Sequence, residues 1–316
     1  MKKRIKKYIK IMGKIFITGV LVYFLVRNVD WAEVWGYFLS MDPWLVIVSI
    51  VFYIGGLMIS AQKWRVLARH LSFEKDFLFY MQTYIFGTFL NNFFPSFVGG
   101  DTYRTFALGK KEKRLKAASA TVVVDRISGL FGTIILAVLC SAFSMREIMY
   151  GVVVFWIVCG FSAFLAVSGF LIIFYHAKYV QAVMRCMPRY VIAYVNILLR
   201  FRRRHIGAMS LLYVFAFAFV GVACANYTLF LAMGVQLSFV NFISVVFLTN
   251  IIAAAPISIG NIGTKEWAYV FLFGLFGVSS SAAVAVVLLS RVIQMMISFA
   301  GIPFFLQERK KMQEGI

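Results

Sequence analysis

Two arginines, Arg126 and Arg291, stand inside long apolar stretches of the chain. A guanidinium group within a membrane span costs at least about 2.5–3.5 kcal/mol on insertion scales, so it needs a partner or a cavity. Asp101, Asp125 and Glu266 are the acids that can pair with them. In one interpretation these ion pairs lock helices together. In the other, the acids hold the guanidinium groups ready to bind a phosphate group.

Two apolar stretches with backbone breakers lie close to these acids. The first, Phe89–Arg104, contains Asn91-Asn92, Pro95, Gly99-Gly100 and Asp101. The second, Phe247–Glu266, repeats the figure with an Asn, a Pro, two Gly and an acid. In lipid, the amides freed by such breaks find no water, so other parts of the protein must cover them or they must line a cavity.

The composition excludes a soluble protein. The 316 residues are 62% hydrophobic and 14% charged, with 34 Phe, and the mean hydropathy is +0.87. Several separate apolar runs approach or exceed the length of a bilayer crossing. We therefore predict an all-α polytopic membrane protein. The net charge of +20 is explained by lysine and arginine in cytoplasmic loops rather than by nucleic-acid binding.

The sequence gives little support to enzymatic chemistry. It contains no GxxxxGK[ST], HExxH or GxSxG pattern and no Cys/His cluster. Neither a nucleotide, a metal ion nor another cofactor is therefore predicted. The four cysteines are interpreted as small packing residues, and the protein is not expected to be an enzyme.

The distribution of cations predicts a topology with both termini in the cytoplasm. Basic segments follow alternate apolar runs, so that most of the 32 Lys and Arg lie on one side. Three acids with Trp31, Trp35 and Tyr37 predict an outer interfacial belt over 28–42. The predicted elements are a first span over 9–27, a second over 43–62, a hairpin over 77–110, crossings over 117–143, 150–175 and 206–233, a second hairpin over 239–277 and a last crossing over 281–306.

The segment 77–95 is long enough to cross the bilayer, yet it precedes a densely basic stretch. A full crossing would place those cations outside, whereas a re-entrant hairpin turning near 95–101 keeps them inside. We prefer the hairpin. Lys63 and the three cations after it are taken to mark the inner end of the second span, and 176–205 is expected to be an inner loop.

The order of these features predicts an internal repeat within one membrane domain, 1–316. Leu-Ser-Phe precedes each interrupted segment, at 71–73 and 237–239, and a span with an intramembrane arginine follows each. The halves, 43–175 and 206–306, are three crossings out of phase and would therefore be inverted. This is the layout of secondary transporters, with broken helices meeting near the midplane.

Several polar residues have both a structural and a binding interpretation. Asp101 can cap the returning half-helix, whose N-terminus would favour an anion. Glu266 can be neutralised by its neighbour Lys265, or it can bind a cationic headgroup or carry a proton. The asparagines can satisfy local backbone or bind a ligand. The candidate substrate-binding residues are Asn91, Asn92, Pro95, Gly99, Gly100, Asp101, Arg104, Asp125, Arg126, Asn250, Pro256, Gly260, Gly263, Glu266 and Arg291.

The segment 91–104 contains Asn-x-x-x-Pro followed by Gly-Gly-Asp-x-x-Arg. This pattern resembles a signature of the lysylphosphatidylglycerol synthase transmembrane family, which is also called the flippase-like domain family. Asp125-Arg126 with Gly129 resembles a second signature, and the stretch 256–266 a third. Asn261 stands where the third motif usually has a second glycine. The resemblance implies lipid translocation. Since the chain ends shortly after its last span, we expect a stand-alone member without an aminoacyl-transferase domain.

Three functions are compatible with these features. The first is a flippase of the inner (plasma) membrane that moves an anionic phospholipid or a polyprenyl-phosphate-linked glycan. The second is a non-transporting subunit that presents a lipid-linked sugar to a glycosyltransferase. The third is an integral-membrane transferase with Asp101 or Glu266 as base, which the lack of a donor-binding motif disfavours. The expected partners are an anionic lipid or lipid-linked glycan, with a glycosyltransferase or a second copy of the chain possible and no nucleic acid.

Overall fold

The computed structural model describes residues 2–93, 98–143, 160, 189–202, 204–254 and 257–306. Every regular element in these ranges is helical. The elements are α1 (Lys2–Asn28), α2 (Trp31–Ser40), α3 (Pro43–His70), α4 (Phe77–Phe93), α5 (Val98–Gly109), α6 (Leu115–Phe143), α7 (Arg189–Leu199), a 3-10 turn (Arg200–Arg202), α8 (Arg204–Phe217), a π-helix (Ala218–Cys224), α9 (Ala225–Ala232), α10 (Phe239–Ala254), a 3-10 turn (Ile259–Asn261), α11 (Thr264–Gly274) and α12 (Ser280–Phe299).

Four of the described helical segments are long and apolar enough to cross a membrane, namely Pro43–His70, Leu115–Cys140, His205–Ala232 and Ser280–Leu306. The first predicted span belongs to a bent pair, because α1 and α2 meet at 78°. The prediction of an all-α polytopic membrane protein is thus confirmed. The predicted crossing over 150–175 lies outside the described residues, apart from Gly160.

The predicted interfacial belt at 28–42 contains a helix, α2. Asp30 caps it by accepting hydrogen bonds from the backbone N–H groups of Ala32 and Glu33. Asp42 caps α3 in the same way through the N–H of Trp44, with proline at the first helical position. Trp35 and Trp44 are 63% and 69% exposed, as aromatic anchors at a membrane interface would be.

Each of the two proline- and glycine-containing segments breaks into a pair of short helices. In the first pair, the backbone N–H of Gly100 donates to Asn91 Oδ1 at 2.9 Å, and Gly100 packs against the backbone of Gly87. An unbroken helix would separate residues 87 and 100 by about 20 Å, so α4 and α5 must fold back on each other. In the second pair, Asn261 Nδ2 donates to the carbonyl of Ala253 at 2.6 Å. Re-entry of either hairpin from one membrane face stays a prediction.

Two other segments differ from the sequence-based expectation. The second span does not end near 62, because α3 continues to His70 and carries Lys63 in a buried position, 7% exposed. The predicted inner loop at 176–205 contains the helix α7 and a 3-10 turn, and His70 Nε2 lies 2.8 Å from the carbonyl oxygen of Arg200. Each segment contains helix where the basic residues alone indicated a loop.

The long helix α6 joins the two cores of the domain. Its first half contributes Ala118 and Val122 to a core with α3, α4 and α5. Its second half contributes Ile134 and Ala137 to a core built mainly from α9, α10, α11 and α12. The residues between these halves, which include Asp125 and Arg126, therefore lie where the two cores meet.

Candidate functional site

Asp125 forms the centre of a buried charge cluster. Its carboxylate accepts a hydrogen bond from Arg104 Nη2 at 2.8 Å and pairs with Lys63 Nζ at 2.9 Å. The exposed fractions of these side chains are 3%, 4% and 9% for Asp125, Arg104 and Lys63. A charge at such depth requires paired and hydrogen-bonded partners. The cluster joins one residue from each of α3, α5 and α6.

Two aromatic rings hold the Arg104 guanidinium in place. Its central carbon lies 4.3 Å from the centroid of Trp64 and 4.4 Å from that of Tyr84. Trp64 is itself fixed, because its indole N–H donates to Thr121 Oγ1 at 3.0 Å. Cation–π contacts of desolvated arginines contribute about 2 kcal/mol or more. Arg104 is therefore a rigid part of the hairpin rather than a cation of an inner loop.

Arg126 forms a second, open ion pair beside this cluster. Its Nε and Nη2 donate to the two carboxylate oxygens of Asp101 at 2.9 and 3.0 Å. The Arg126 side chain is 53% exposed and that of Asp101 is 23% exposed. Arg104 Nη1 approaches Asp101 from the other side at 3.6 Å. The bidentate geometry orients one edge of the Arg126 guanidinium and leaves the rest of it accessible.

Arg126 and Asp101 lie in an open groove of about 430 Å³ between α5 and α6. The groove is lined by three residues with hydroxyl groups, Thr102, Thr105 and Ser119, and by the apolar residues Val122, Val123 and Ile127. Thr105 and Ser119 already donate to the carbonyls of Asp101 and Lys116. The guanidinium of Arg126 therefore supplies the charge-assisted donor for an anionic group attached to a hydrophobic tail. We call this the Arg126 groove.

The first cluster carries an excess of positive charge. It contains three cations, Lys63, Arg104 and Arg126, against two acids, Asp101 and Asp125. The described ion pairs therefore leave one positive charge uncompensated. Because Arg126 is the exposed member, the surplus charge is directed toward the groove.

The second cluster is built around Glu266 at the start of α11. One carboxylate oxygen accepts from Arg291 Nη2 at 2.6 Å, and the other accepts from the backbone N–H of Gly263 at 2.7 Å. Arg291 also donates to the carbonyls of Gly260 and Asn261 at 3.2 and 3.4 Å. The arginine therefore holds the loop of the second hairpin from α12.

The backbone of this loop depends on left-handed residues. Gly260, Asn261 and Gly263 have φ values of 60°, 58° and 83°. Only glycine adopts this region without strain, and asparagine tolerates it better than most residues. The asparagine at 261, which departs from the resembled motif, thus keeps the turn that a glycine would allow.

Helix α1 packs against the same loop. Thr18 Oγ1 accepts a hydrogen bond from the backbone N–H of Ile259 at 3.0 Å. A Cβ on Gly263 would come within 2.7 Å of the Leu21 side chain. The first span therefore supports the second hairpin rather than standing apart from it.

The structure brings most of the predicted site residues into these two clusters. Asn91 bridges the hairpin halves, and Asn92 Nδ2 reaches Ser298 Oγ on α12 at 3.5 Å. Asn250 lies on α10, partly buried, and Gly99 in the first turn of α5. Pro95 and Pro256 lie outside the described residues.

Two of the pairings that the sequence allowed are present, Asp101 with Arg126 and Glu266 with Arg291. Three alternative roles of these acids differ in the structure. Asp101 lies in the first turn of α5 rather than at its N-cap, and its carboxylate pairs with Arg126. Asp125 pairs with Arg104 and Lys63. Glu266 pairs with Arg291 and not with Lys265, whose Nζ instead lies 5.6 Å from the ring centroid of Tyr269. Each difference arises because a partner distant in sequence is closer in space.

Sequence reasoning missed Lys63, Trp64 and Tyr84. A signal for Lys63 was available, since Leu67, Ala68 and Leu71 continue the apolar face of α3 beyond it. Trp64 and Tyr84 carried no comparable signal, because the sequence contains many other aromatic residues in apolar stretches. In the described part of the chain, no group of three His, Cys, Asp or Glu residues is placed to hold a metal ion.

Comparison with known proteins identifies the family of this chain. The family profile described as "Lysylphosphatidylglycerol synthase TM region" matches residues 11–301. A "UPF0104 membrane protein" of Methanothermobacter thermautotrophicus is 26% identical over 298 residues, which cover 84% of this chain and 86% of that protein. "UPF0104 membrane protein MJ1595" of Methanocaldococcus jannaschii is 26% identical over 119 residues, 37% of this chain and 34% of that protein. No solved structure matches significantly.

The family match covers nearly all of the chain, including both hairpins and both arginine clusters. The chain therefore belongs to the family defined by the lysylphosphatidylglycerol synthase TM region.

Proposed function

We propose that this protein translocates an anionic lipid across the inner (plasma) membrane, with the phosphate of the headgroup bound at Arg126. The substrate class is an anionic phospholipid or a polyprenyl-phosphate-linked glycan, which share that phosphate. The observation that carries the proposal is a half-exposed guanidinium, oriented by Asp101, in a groove on a membrane helix. An intramembrane arginine with one free edge is costly unless it has a ligand.

The neighbouring charges support an anion rather than a cation as ligand. With three cations and two acids, the cluster around Asp125 is one positive charge in excess. A bound phosphate group would offset that surplus in a region of low dielectric constant, where the attraction is strong. A zwitterionic lipid would offset it less.

The position of the groove supports entry from the cytoplasmic leaflet. With the termini inside, α6 starts at the cytoplasmic surface, so Ser119 lies near that surface and Arg126 about 10 Å deeper, two helical turns along. A lipid in the inner leaflet can thus place its headgroup in the groove while its tail stays in the bilayer. The basic inner surface would concentrate anionic lipids there.

The packing of the two halves supports alternating access. Arg126 and Arg291 each lie eleven residues after the first residues of their helices, Leu115 and Ser280. Beyond Arg126, α6 packs on α10, where Ser244 Oγ donates to the carbonyl of Cys140 at 2.7 Å. Beyond Arg291, α12 reaches α4, as expected for an inverted repeat.

The two arginine sites differ in openness. The Arg291 side chain is 22% exposed, against 53% for Arg126. We propose that this is a state open to the cytoplasm, and that rocking of the halves exposes Arg291 as it closes the Arg126 groove. Arg291 would then exchange its Glu266 partner for the phosphate of the substrate.

The experiment is a translocation assay in reconstituted vesicles with headgroup-labelled phosphatidylglycerol, phosphatidylcholine and a polyprenyl phosphate. Arg126→Gln should slow movement of the anionic substrate by about tenfold or more, because one charge-assisted contact contributes roughly 1.5–3 kcal/mol. Arg27→Gln, which removes an exposed arginine of α1, is the matched control. Preference for one of the two anionic probes identifies the substrate class.

Two results would contradict the proposal. The first is equal translocation by the protein and by Arg126→Gln. The second is binding of the anionic lipid without movement, which would favour a presenting subunit for a glycosyltransferase instead.

A further inference from the structure

A second cavity lies next to the Arg126 groove on the other side of Ile127. It has a volume of about 50 Å³ and is enclosed by α3, α6, α7 and α8. Its lining is almost wholly apolar and includes Leu67, Val124, Phe131, Leu198, Phe201 and Leu211. We call it the apolar slot. It is far smaller than the roughly 300–1,000 Å³ of a whole-ligand pocket, so it suits a segment of a chain.

The groove and the slot share one wall. Ile127 lines both, and it is 40% exposed. On α6 the groove is lined by 119, 122, 123, 126 and 127, whereas the slot is lined by 124, 127, 128 and 131. At 100° per residue these are adjacent faces of one helix. A molecule with a charged end and an apolar end can therefore occupy both by passing over Ile127.

One polar atom in the slot has no partner. Ser210 is 5% exposed, and its Oγ is buried without a hydrogen bond. Serine in a helix commonly donates to the carbonyl four residues earlier, but here it does not. Because a buried hydroxyl group without a partner is destabilising, this atom indicates an acceptor that enters the slot from outside. By contrast, the other serine of the slot, Ser128, donates to the carbonyl of Asp125 at 3.1 Å.

We propose that the apolar slot binds the ester-linked end of one acyl chain of the anionic phospholipid whose phosphate lies at Arg126, and that Ser210 donates a hydrogen bond to the ester carbonyl of that chain. This rests on the proposed function and selects between its two substrate classes. An acyl ester brings a carbonyl acceptor into an apolar environment. A polyprenyl tail is pure hydrocarbon beyond its phosphate and would leave Ser210 unsatisfied.

The slot offers a position for blocking it. A Cβ built on Gly207, which lines the slot, meets no atom within 4 Å. Gly207→Leu therefore fills the space without a clash at its first carbon. Gly19 on α1 also has open space and is exposed, so Gly19→Leu is a matched control at a lipid-facing helix surface.

The test uses the full chain in vesicles containing phosphatidylglycerol with a photoreactive diazirine on one acyl chain, followed by peptide mapping. We expect labelling of 124–131 and 206–211, reduced about fivefold or more by Gly207→Leu through steric exclusion and unchanged by Gly19→Leu. Ser210→Ala should weaken binding of the ester lipid by about three- to tenfold, the loss of one hydrogen bond. It should not affect a dialkyl ether analogue, which lacks the carbonyl.

Labelling that avoids both segments, or that persists in Gly207→Leu, would overturn the proposal. So would equal effects of Ser210→Ala on ester and ether lipids. If labelling avoids the slot while headgroup binding still depends on Arg126, the slot proposal fails and the proposed function stands. If Arg126→Gln does not change headgroup binding, the proposed function itself fails.

Discussion

Replacement of Asp125 by asparagine tests the buried cluster most directly. Asp125→Asn keeps the size of the side chain and removes the charge that pairs with both Arg104 and Lys63. Two cations at most 9% exposed would then face a neutral amide. Breaking a buried pair in this way destabilises a protein by about 3–5 kcal/mol, because the partner charge stays buried.

The structure also predicts how that loss can be recovered. Lys63→Met removes one cation and leaves the pair of Arg104 with Asp125 intact. In Lys63→Met/Asp125→Asn only Arg104 loses its main partner, and Asp101 remains 3.6 Å from it. The double variant should therefore be more stable than the sum of the single effects predicts, by roughly 1–3 kcal/mol.

The assay is reversible unfolding in mixed micelles with increasing denaturing detergent, followed by tryptophan fluorescence. Asp30→Asn is the control, because Asp30 is an exposed N-cap and asparagine caps helices about as well. We expect a change below about 0.5 kcal/mol for it. If Asp125→Asn is no more destabilising than Asp30→Asn, or if the single effects simply add, the assignment of a coupled buried cluster is wrong.

Two further predictions concern helix packing and the second hairpin. Gly56→Ala should lower the free energy of unfolding by about 1–3 kcal/mol, because its methyl group would overlap the backbone of Gly221. Gly55→Ala is the control in the same unfolding assay and should be neutral or slightly stabilising, because its methyl group would lie 3.5 Å from the Val220 side chain. Glu266→Gln should keep the cap on Gly263 but weaken the 2.6 Å pair with Arg291. Backbone hydrogen exchange at 259–266 should then accelerate by roughly tenfold. Unchanged exchange would show that the pair of Glu266 with Arg291 does not hold the loop of the second hairpin in place.

Local patterns in the sequence were sufficient for the class of fold and for the two hairpins. Apolar runs of bilayer length predict membrane helices, because a helix satisfies its own backbone groups in lipid. Proline, glycine and asparagine within such a run interrupt it, and the structure breaks both stretches there. Within each hairpin an asparagine side chain joins the two halves, Asn91 in the first and Asn261 in the second. The inverted relation of the halves stays a prediction.

The charged partners were harder to assign, because their pairing depends on how helices cross. The sequence left Glu266 with two kinds of candidate partner, its neighbour Lys265 and the intramembrane arginines. It could not decide between them, although neighbouring residues on a helix point in different directions. Glu266 instead pairs with Arg291, 25 residues away, and Arg126 pairs with Asp101, also 25 residues away. Lys63 was taken as a marker of the membrane surface because three more cations, Arg65, Arg69 and Lys75, follow it in the sequence.

Sequence alone therefore determined that this chain is a helical membrane protein with two broken segments and a small set of intramembrane charges. Tertiary structure decided which charges neutralise one another, which of the two arginines is open, and that an apolar slot adjoins it. The physical reason is the separation along the sequence of the groups that interact. Backbone satisfaction and hydrophobic length act within one helix, whereas ion pairing and cavities depend on side chains from different helices that meet only after the chain has folded.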